Sequence, residues 1–299
     1  MNTKNIFVAE LNNEVISNTQ NFILSCENAY KSQMEKIVEH IKLNPEIKFI
    51  LLAGPSSSGK TTTAKLLAQN LAKANLNAKT ISLDDFFVER ENTPLWPDGK
   101  PNYESVDSID WQLFDNCMHN LLTQGYSVMP TYDFIIGKKH FENNLTLGKN
   151  DIVIIEGLHS LNTIIDNFIS TNLSVKVYLA PSINYFKNEE VILDGINLRF
   201  IRRLIRDVHT RGASPLKTLN EWESVRMGEK LYIDPFKNTA QFTVNTCHPY
   251  EVCVYKNIIK RLKLDEIDEL KQRIYPFESF VTLENDVVPN DSLLKEFVH

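Results

Sequence analysis

Apolar positions along this 299-residue chain change their spacing at about residue 45. Before that point Phe22, Ile23, Tyr30, Met34, Ile37, Val38 and Ile41 recur near a helical period, after a polar, asparagine-rich start, which predicts a helix ahead of the main domain. From Lys48 the pattern becomes an unbroken apolar run, Phe49-Ile50-Leu51-Leu52-Ala53, followed by a glycine-bounded loop and a helical stretch from Lys60 to about Ala74. Further short runs, Ala78 to Leu83, Asp151 to Ile155 and Val175 to Leu179, are separated by helical or loop segments, as in a mostly parallel sheet covered by helices on both faces. The expected class is therefore α/β, with a helical extension over residues 1–45 and one main domain over 46–299. Between Asp85 and Ser108, Pro94, Pro97, Gly99 and Pro101 exclude long regular elements, and a connection of that length predicts a functional or a mobile loop.

Charge narrows the range of partners. With 32 basic against 38 acidic side chains the net charge is -6, so there is no global basic field to draw the chain onto nucleic acid or an anionic membrane. The apolar runs fall far below the roughly 20 residues that span a bilayer. Cys26, Cys117, Cys247 and Cys253 form no CxxC pair or zinc spacing, and the amino terminus does not read as a signal peptide, so the cytoplasm is the expected compartment.

The glycine-bounded loop carries the first chemistry. Gly54-Pro55-Ser56-Ser57-Ser58-Gly59-Lys60-Thr61 matches GxxxxGK[ST] and lies where that motif works, after a buried strand and opening a helix, which predicts the P-loop NTPase fold. The glycines let backbone N–H groups and the helix amino terminus converge on a β-phosphate. Lys60 adds a point charge, and Thr61 offers a hydroxyl to Mg²⁺. Gly54, Ser56, Ser57, Ser58, Gly59, Lys60, Thr61 and Thr62 are the expected ATP contacts. Ile152-Val153-Ile154-Ile155-Glu156 supplies a strand-end acid, Glu156, for the metal. The run Ala78 to Leu83 ends in Asp84-Asp85-Phe86-Phe87, and Asp84 is the candidate base for an attacking hydroxyl.

These segments occur in a particular order: Gly54 to Thr61, Ser82 to Phe87, Pro130-Thr131-Tyr132-Asp133-Phe134, Ile155-Glu156-Gly157 and Arg202-Arg203-Leu204-Ile205-Arg206-Asp207. In that order the chain resembles the uridine kinase and phosphoribulokinase family. It looks most like a bacterial uridine kinase-like branch that often carries an amino-terminal module related to threonyl-tRNA synthetase. The likeness runs from about Lys48 to the end of the chain, including Trp222 to Glu229 and the tail Val288 to Leu294. The preceding segment is too short for the whole module, of which at most the connecting helix is expected. The resemblance implies that Asp84 is the base, that Tyr132 and Phe87 lie at a nucleoside, and that Glu104 stands where relatives place an aspartate on the ribose hydroxyls. Gly137 stands where uridine-cytidine kinases place a histidine at the pyrimidine edge, which leaves base specificity open.

Arg199, Arg202, Arg203 and Arg206 fall at i, i+3, i+4 and i+7, opposite Leu198, Ile201, Ile205 and Val208. Like charges at that spacing repel and need an anion, for which the ATP phosphates are the candidate. Arg202, Arg203, Arg206 and Arg211 are then expected clamps on a closing lid over about residues 195–230, Arg206 assisting transfer, with Gly212 and Pro215 ending the helix. His140, His159, His209 and His248 read as structural or surface residues, and Lys256 to Arg273 as a surface helix.

The resulting expectation is ATP-dependent, Mg²⁺-assisted phosphorylation of a nucleoside 5′-hydroxyl, uridine or cytidine by default. Another sugar, a pantothenate-like alcohol, or a catalytically silent nucleotide-binding regulator are the alternatives. Homo-oligomerisation is left open.

Overall fold

In the computed structural model, which describes residues 2–148 and 150–298, the unbroken apolar run becomes the central strand of a parallel sheet. In chain order the principal elements begin with β1 (Lys4–Phe7), α1 (Val8–Ser17), α2 (Thr19–Leu43), β2 (Phe49–Ala53), α3 (Lys60–Lys73) and β3 (Ala78–Ser82). There follow α4 (Trp111–Gln124), β4 (Tyr126–Asp133), β5 (Lys138–Thr146), β6 (Ile152–Glu156), β7 (Ser174–Ala180), β8 (Ile183–Lys187) and β9 (Glu190–Asp194). The chain continues with α5 (Gly195–Thr210), α6 (Pro215–Tyr232), β10 (Phe242–Asn245) and α7 (Glu251–Arg261).

The main sheet has the order β10-β7-β2-β6-β3 with every pairing parallel. β2 and β6 are buried at every position and, Glu156 apart, are apolar on both faces, and this is why they read as continuous runs. Helices on the two faces close two apolar clusters. One joins Ile50, Leu52, Leu67 and Leu71 to the amino-terminal helices and to the chain's last residues; the other joins Leu51, Ala53 and Ile155 to α4.

Three features differ from the sequence expectation. The amino-terminal segment is helical as its periodicity predicts, but it opens with β1, which pairs in parallel with β8 beside the antiparallel β9. β4 and β5 form an antiparallel hairpin outside the main sheet, turning at Ile136-Gly137. Lys256 to Arg273 is not a surface helix. Its first part is the end of α7, where Val252 to Lys256 are buried, and beyond Arg261 it breaks into short turns. The ammonium of Lys256 donates to the carbonyls of Glu278 and Phe280, so the charge is satisfied by backbone rather than by water.

Candidate active site

The sheet register gathers the candidate residues at one edge. Leu52 of β2 and Ser82 of β3 both lie opposite Glu156 of β6, so the three chains leave the sheet at the same level. Gly54, Asp84 and Glu156 follow or close those strands. The site is thus fixed by backbone hydrogen bonds rather than by loop preference.

Between β2 and α3 the phosphate loop folds on itself. The Ser58 N–H donates to the Pro55 carbonyl at 3.1 Å, and Ser57 and Gly59 take φ values of 58° and 87°. Left-handed residues in such a loop turn successive N–H groups into one concavity, a nest for an anion. Gly54 is required by proximity: a Cβ there would lie 2.3 Å from the Leu179 carbonyl oxygen. Lys60 Nζ rests 3.4 Å from the Pro55 carbonyl, close to the loop it would serve.

Glu156 accepts hydrogen bonds from Ser82 Oγ at 2.8 Å and Thr61 Oγ1 at 3.0 Å, while its Oε2 is buried without a partner. Burial, and then the charge of Asp84, push its carboxyl up to about 7 against the pull of Lys60 and the two hydroxyls. A carboxyl raised in the folded state binds more protons than in the unfolded chain, so its contribution to stability falls as pH rises from about 4.5 to about 7. Glu156→Gln should therefore melt a few degrees above the native protein at pH 8, and this gain should shrink towards zero at pH 5. An equal difference at both pH values would refute the shift.

The adjacent aspartates diverge. Asp85 Oδ1 accepts from the Tyr132 N–H at 3.2 Å, which ties the short turn Leu83–Phe86 to β4, and burial raises its carboxyl above the usual range. Asp84 instead lines the open cleft with Lys60, Thr61 and Arg203. Phe87, Tyr132 and Phe134 wall the same cleft, with ring centroids 5.1 to 6.0 Å apart.

Glu104 comes from the long loop before α4 and is buried, with Oε2 unpartnered. Burial pushes its carboxyl up to about 7; Glu229 and Asp84 add to this, while Arg203 and Lys60 oppose it. α6 can pack on this loop because residue 228 is glycine: a Cβ there would fall 2.2 Å from that of Glu104. At Gly137, where φ is +73°, the Arg90 side chain lies so close that a Cβ would meet it at 2.7 Å. Arg90 donates to the carbonyls of Phe134 at 2.5 Å and Ile135 at 3.1 Å.

The arginine face of α5 is divided in two. Arg202, expected at the phosphates, is fully buried and forms a two-pronged pair with Glu251 at 2.7 and 2.8 Å, with a further bond to the Thr246 carbonyl. Arg199 pairs likewise with Glu229 of α6 and reaches the Ser56 carbonyl. The anions that compensate these two charges are thus carboxylates supplied by other helices. Arg203, Arg206 and Arg211 surround Asp207 and line the cleft, and Arg203 donates to Ser56 Oγ of the phosphate loop at 2.9 Å. Gly212 takes φ +60° and Pro215 opens α6, as the sequence predicts for the break between α5 and α6.

The phosphate loop, Asp84, Glu104, the aromatic wall, Arg203, Arg206 and Arg211 border a cleft of about 1340 Å³, which also takes in Arg90, Tyr103 and the tail residues Asn290 to Ser292, Lys295 and Glu296. Sequence reasoning did not place those residues in a site. Arg90 and Tyr103 sit on the long loop, whose proline and glycine content marks an irregular path without showing where it goes. His159 and His248 are buried and line no part of the cleft, His159 held down to about 4 mainly by burial, with the charge of Lys60 adding to it.

A parallel sheet with a phosphate loop on its central strand, a strand-end acid hydrogen-bonded to Thr61, and Asp84 beside Lys60 in the cleft define a P-loop phosphotransferase. Residues 49–252 match the phosphoribulokinase / uridine kinase family, and the chain belongs to it. It is 30% identical over 196 residues to a uridine kinase of Lactobacillus helveticus, covering 64% of this chain and 83% of that one. It is 28% identical over 192 residues to a uridine kinase of Mycoplasma genitalium, covering 64% and 81%. Among solved structures it is similar to one described as a possible uridine kinase from Bacillus stearothermophilus, at 18% identity and a TM-score of 0.46, covering 71% of this chain and 97% of that one. The chain is a P-loop kinase of this family. No helix among the described residues is long and apolar enough to cross a membrane.

Proposed function

We propose that the chain transfers the terminal phosphoryl group of ATP to the 5′-hydroxyl of a nucleoside. The observation that carries this reading is the single cleft in which the phosphate loop and Asp84 share space with the Phe87–Tyr132–Phe134 wall and Glu104. Aromatic faces suit a planar base, and a carboxylate suits a ribose diol. Asp84 accepts the proton of the attacking hydroxyl, while Lys60, Arg203 and Arg206 neutralise charge that develops on the transferring group. The naming of the matched relatives as uridine kinases supports the nucleoside acceptor.

Mg²⁺ fits the residues present. The unpartnered Oε2 of Glu156 and the Thr61 hydroxyl are hard oxygen donors at the mouth of the phosphate loop. Among the described residues no cluster of three or more His, Cys, Asp or Glu could hold a metal ion by itself. When bound, the ion would supply charge neutralisation on the nucleotide phosphates.

A second reading changes the acceptor to another small alcohol, and the Arg90 side chain packed at Gly137 favours keeping it. An ADP-release assay with ATP, Mg²⁺ and a panel of ribo- and deoxyribonucleosides, sugars and pantothenate, with product masses measured, separates the two. A nucleoside monophosphate is the expected product. Phosphorylation confined to non-nucleoside alcohols would establish the second reading instead. Lys60→Ala should weaken both nucleotide binding and turnover, and an unchanged rate would remove the phosphate loop from the mechanism.

A further inference from the structure

The cleft extends beyond what the transfer chemistry uses. Thr62, Lys65 and Gln69 line it at i, i+3 and i+7 on one side of α3, a length of about 10 Å leading away from the phosphate loop. α3 runs back from the carboxyl edge of the sheet, where Asp84 and the aromatic wall mark the acceptor end. In-line transfer sets acceptor and leaving diphosphate on opposite sides of the transferring group. The nucleoside half of the donor must therefore leave along α3.

The chain's own tail stands there. Asn290, Ser292, Lys295 and Glu296 line this end of the cleft, although they lie well past residue 252, where the family match ends. The segment is fastened on three sides. Leu293 is buried against Gly59, where a Cβ would lie 2.5 Å from its Cδ1. Glu296 Oε2 accepts from Thr62 Oγ1 at 2.7 Å, and Ser292 Oγ donates to Glu27 Oε1 at 2.7 Å. Glu27 is itself buried in α2 and also accepts from Tyr250 OH at 2.6 Å. Burial works against its ionisation, yet His248, Ser292 and Tyr250 together hold its carboxyl below the ordinary range, so it anchors the tail as an anion. A wall held in this way to the first turn of α3 is pre-organised. Asn290 is exposed, and Lys295, half-buried, has no ion-pair partner among the described residues.

We propose that the segment Asn290–Glu296 is the wall that receives the ribose and base of the donor nucleotide, with Asn290 and Lys295 as its contacting side chains. The inference rests on the donor half of the kinase reading. An amide carries both a donor and an acceptor and can pair with a purine edge, and an unpaired ammonium is a donor for ribose oxygens and base acceptors.

The test compares ATP with inorganic tripolyphosphate, which has the phosphates but no nucleoside, by calorimetry on the full chain without acceptor. The variants are Asn290→Ala, Lys295→Ala and their combination, with Lys295→Gln as a second substitution that keeps the packed stem. The combination should lose ATP affinity by about tenfold or more, the equivalent of roughly one hydrogen bond to a charged group, while tripolyphosphate affinity stays unchanged. Unchanged ATP affinity would overturn the proposal, as would parallel loss of both ligands. A native protein that bound neither ligand would sink the donor reading and this inference together. Native ATP binding without any phosphorylated acceptor would sink only the transfer reading, and the selective loss would still establish the wall.

Discussion

Replacing Asp84 by asparagine should reduce phosphoryl transfer by about 10²–10⁴-fold, the usual worth of a positioned general base, while ATP binding stays within a few fold of native. The substitution preserves shape and removes the anionic acceptor. It should not disturb the fold, because Leu83 and Phe86 anchor the same turn in the core and Asp85, not Asp84, ties the turn to β4. Nor should it weaken the nucleotide side. The Asp84 charge raises the carboxyls of Glu156 and Glu104, so its removal eases their ionisation. Steady-state kinetics combined with ATP titration of the variant decide the matter. A loss of ATP affinity as large as the loss of rate would assign Asp84 to the donor and leave the base unidentified.

The largest expected effect on stability lies in the buried pair of α5 and α7. Arg202→Ala should destabilise the fold by about 3–5 kcal/mol, because it leaves Glu251 charged and buried without its partner. Both side chains are 0% exposed, so water cannot take over. Urea denaturation measures the loss. Replacing both members by apolar residues, Arg202→Met with Glu251→Leu, should recover much of it, since a buried pair and a well-packed apolar pair are often close in stability. If Arg202 acted instead as a phosphate clamp, its alanine variant would lose turnover and keep its unfolding midpoint.

That arginine also shows where reading the chain from its sequence stops. The i, i+3, i+4, i+7 spacing places Arg199, Arg202, Arg203 and Arg206 together, but helical periodicity carries no information about what faces the helix. Glu229 lies 30 residues beyond Arg199 and Glu251 lies 49 beyond Arg202, and only the packing of α6 and α7 on α5 brings them together. The four strand-length runs, by contrast, are legible, most clearly the two central ones, where both faces of the strand are covered. All four enter the main sheet as β2, β3, β6 and β7.

The same contrast applies to the termini. β1 is four residues long and largely exposed, with no periodicity to announce it, and exists because β8 offers it an edge. In the tail, Val288 to Leu294 is recognisable as a segment, but its place beside Gly59 depends on contacts more than 200 residues distant in the chain.

What the sequence by itself determined is local: an unbroken apolar strand, a glycine-bounded loop before a helix, and carboxylates at strand ends follow from steric and solvation rules that act over a few neighbouring residues. What only the tertiary structure decided is the pairing of distant charges. The partition of the arginines between core and cleft, the opposite orientations of Asp84 and Asp85, and the tail along α3 all depend on which elements meet. Desolvation and Coulomb energies are set by that meeting, and not by position along the chain.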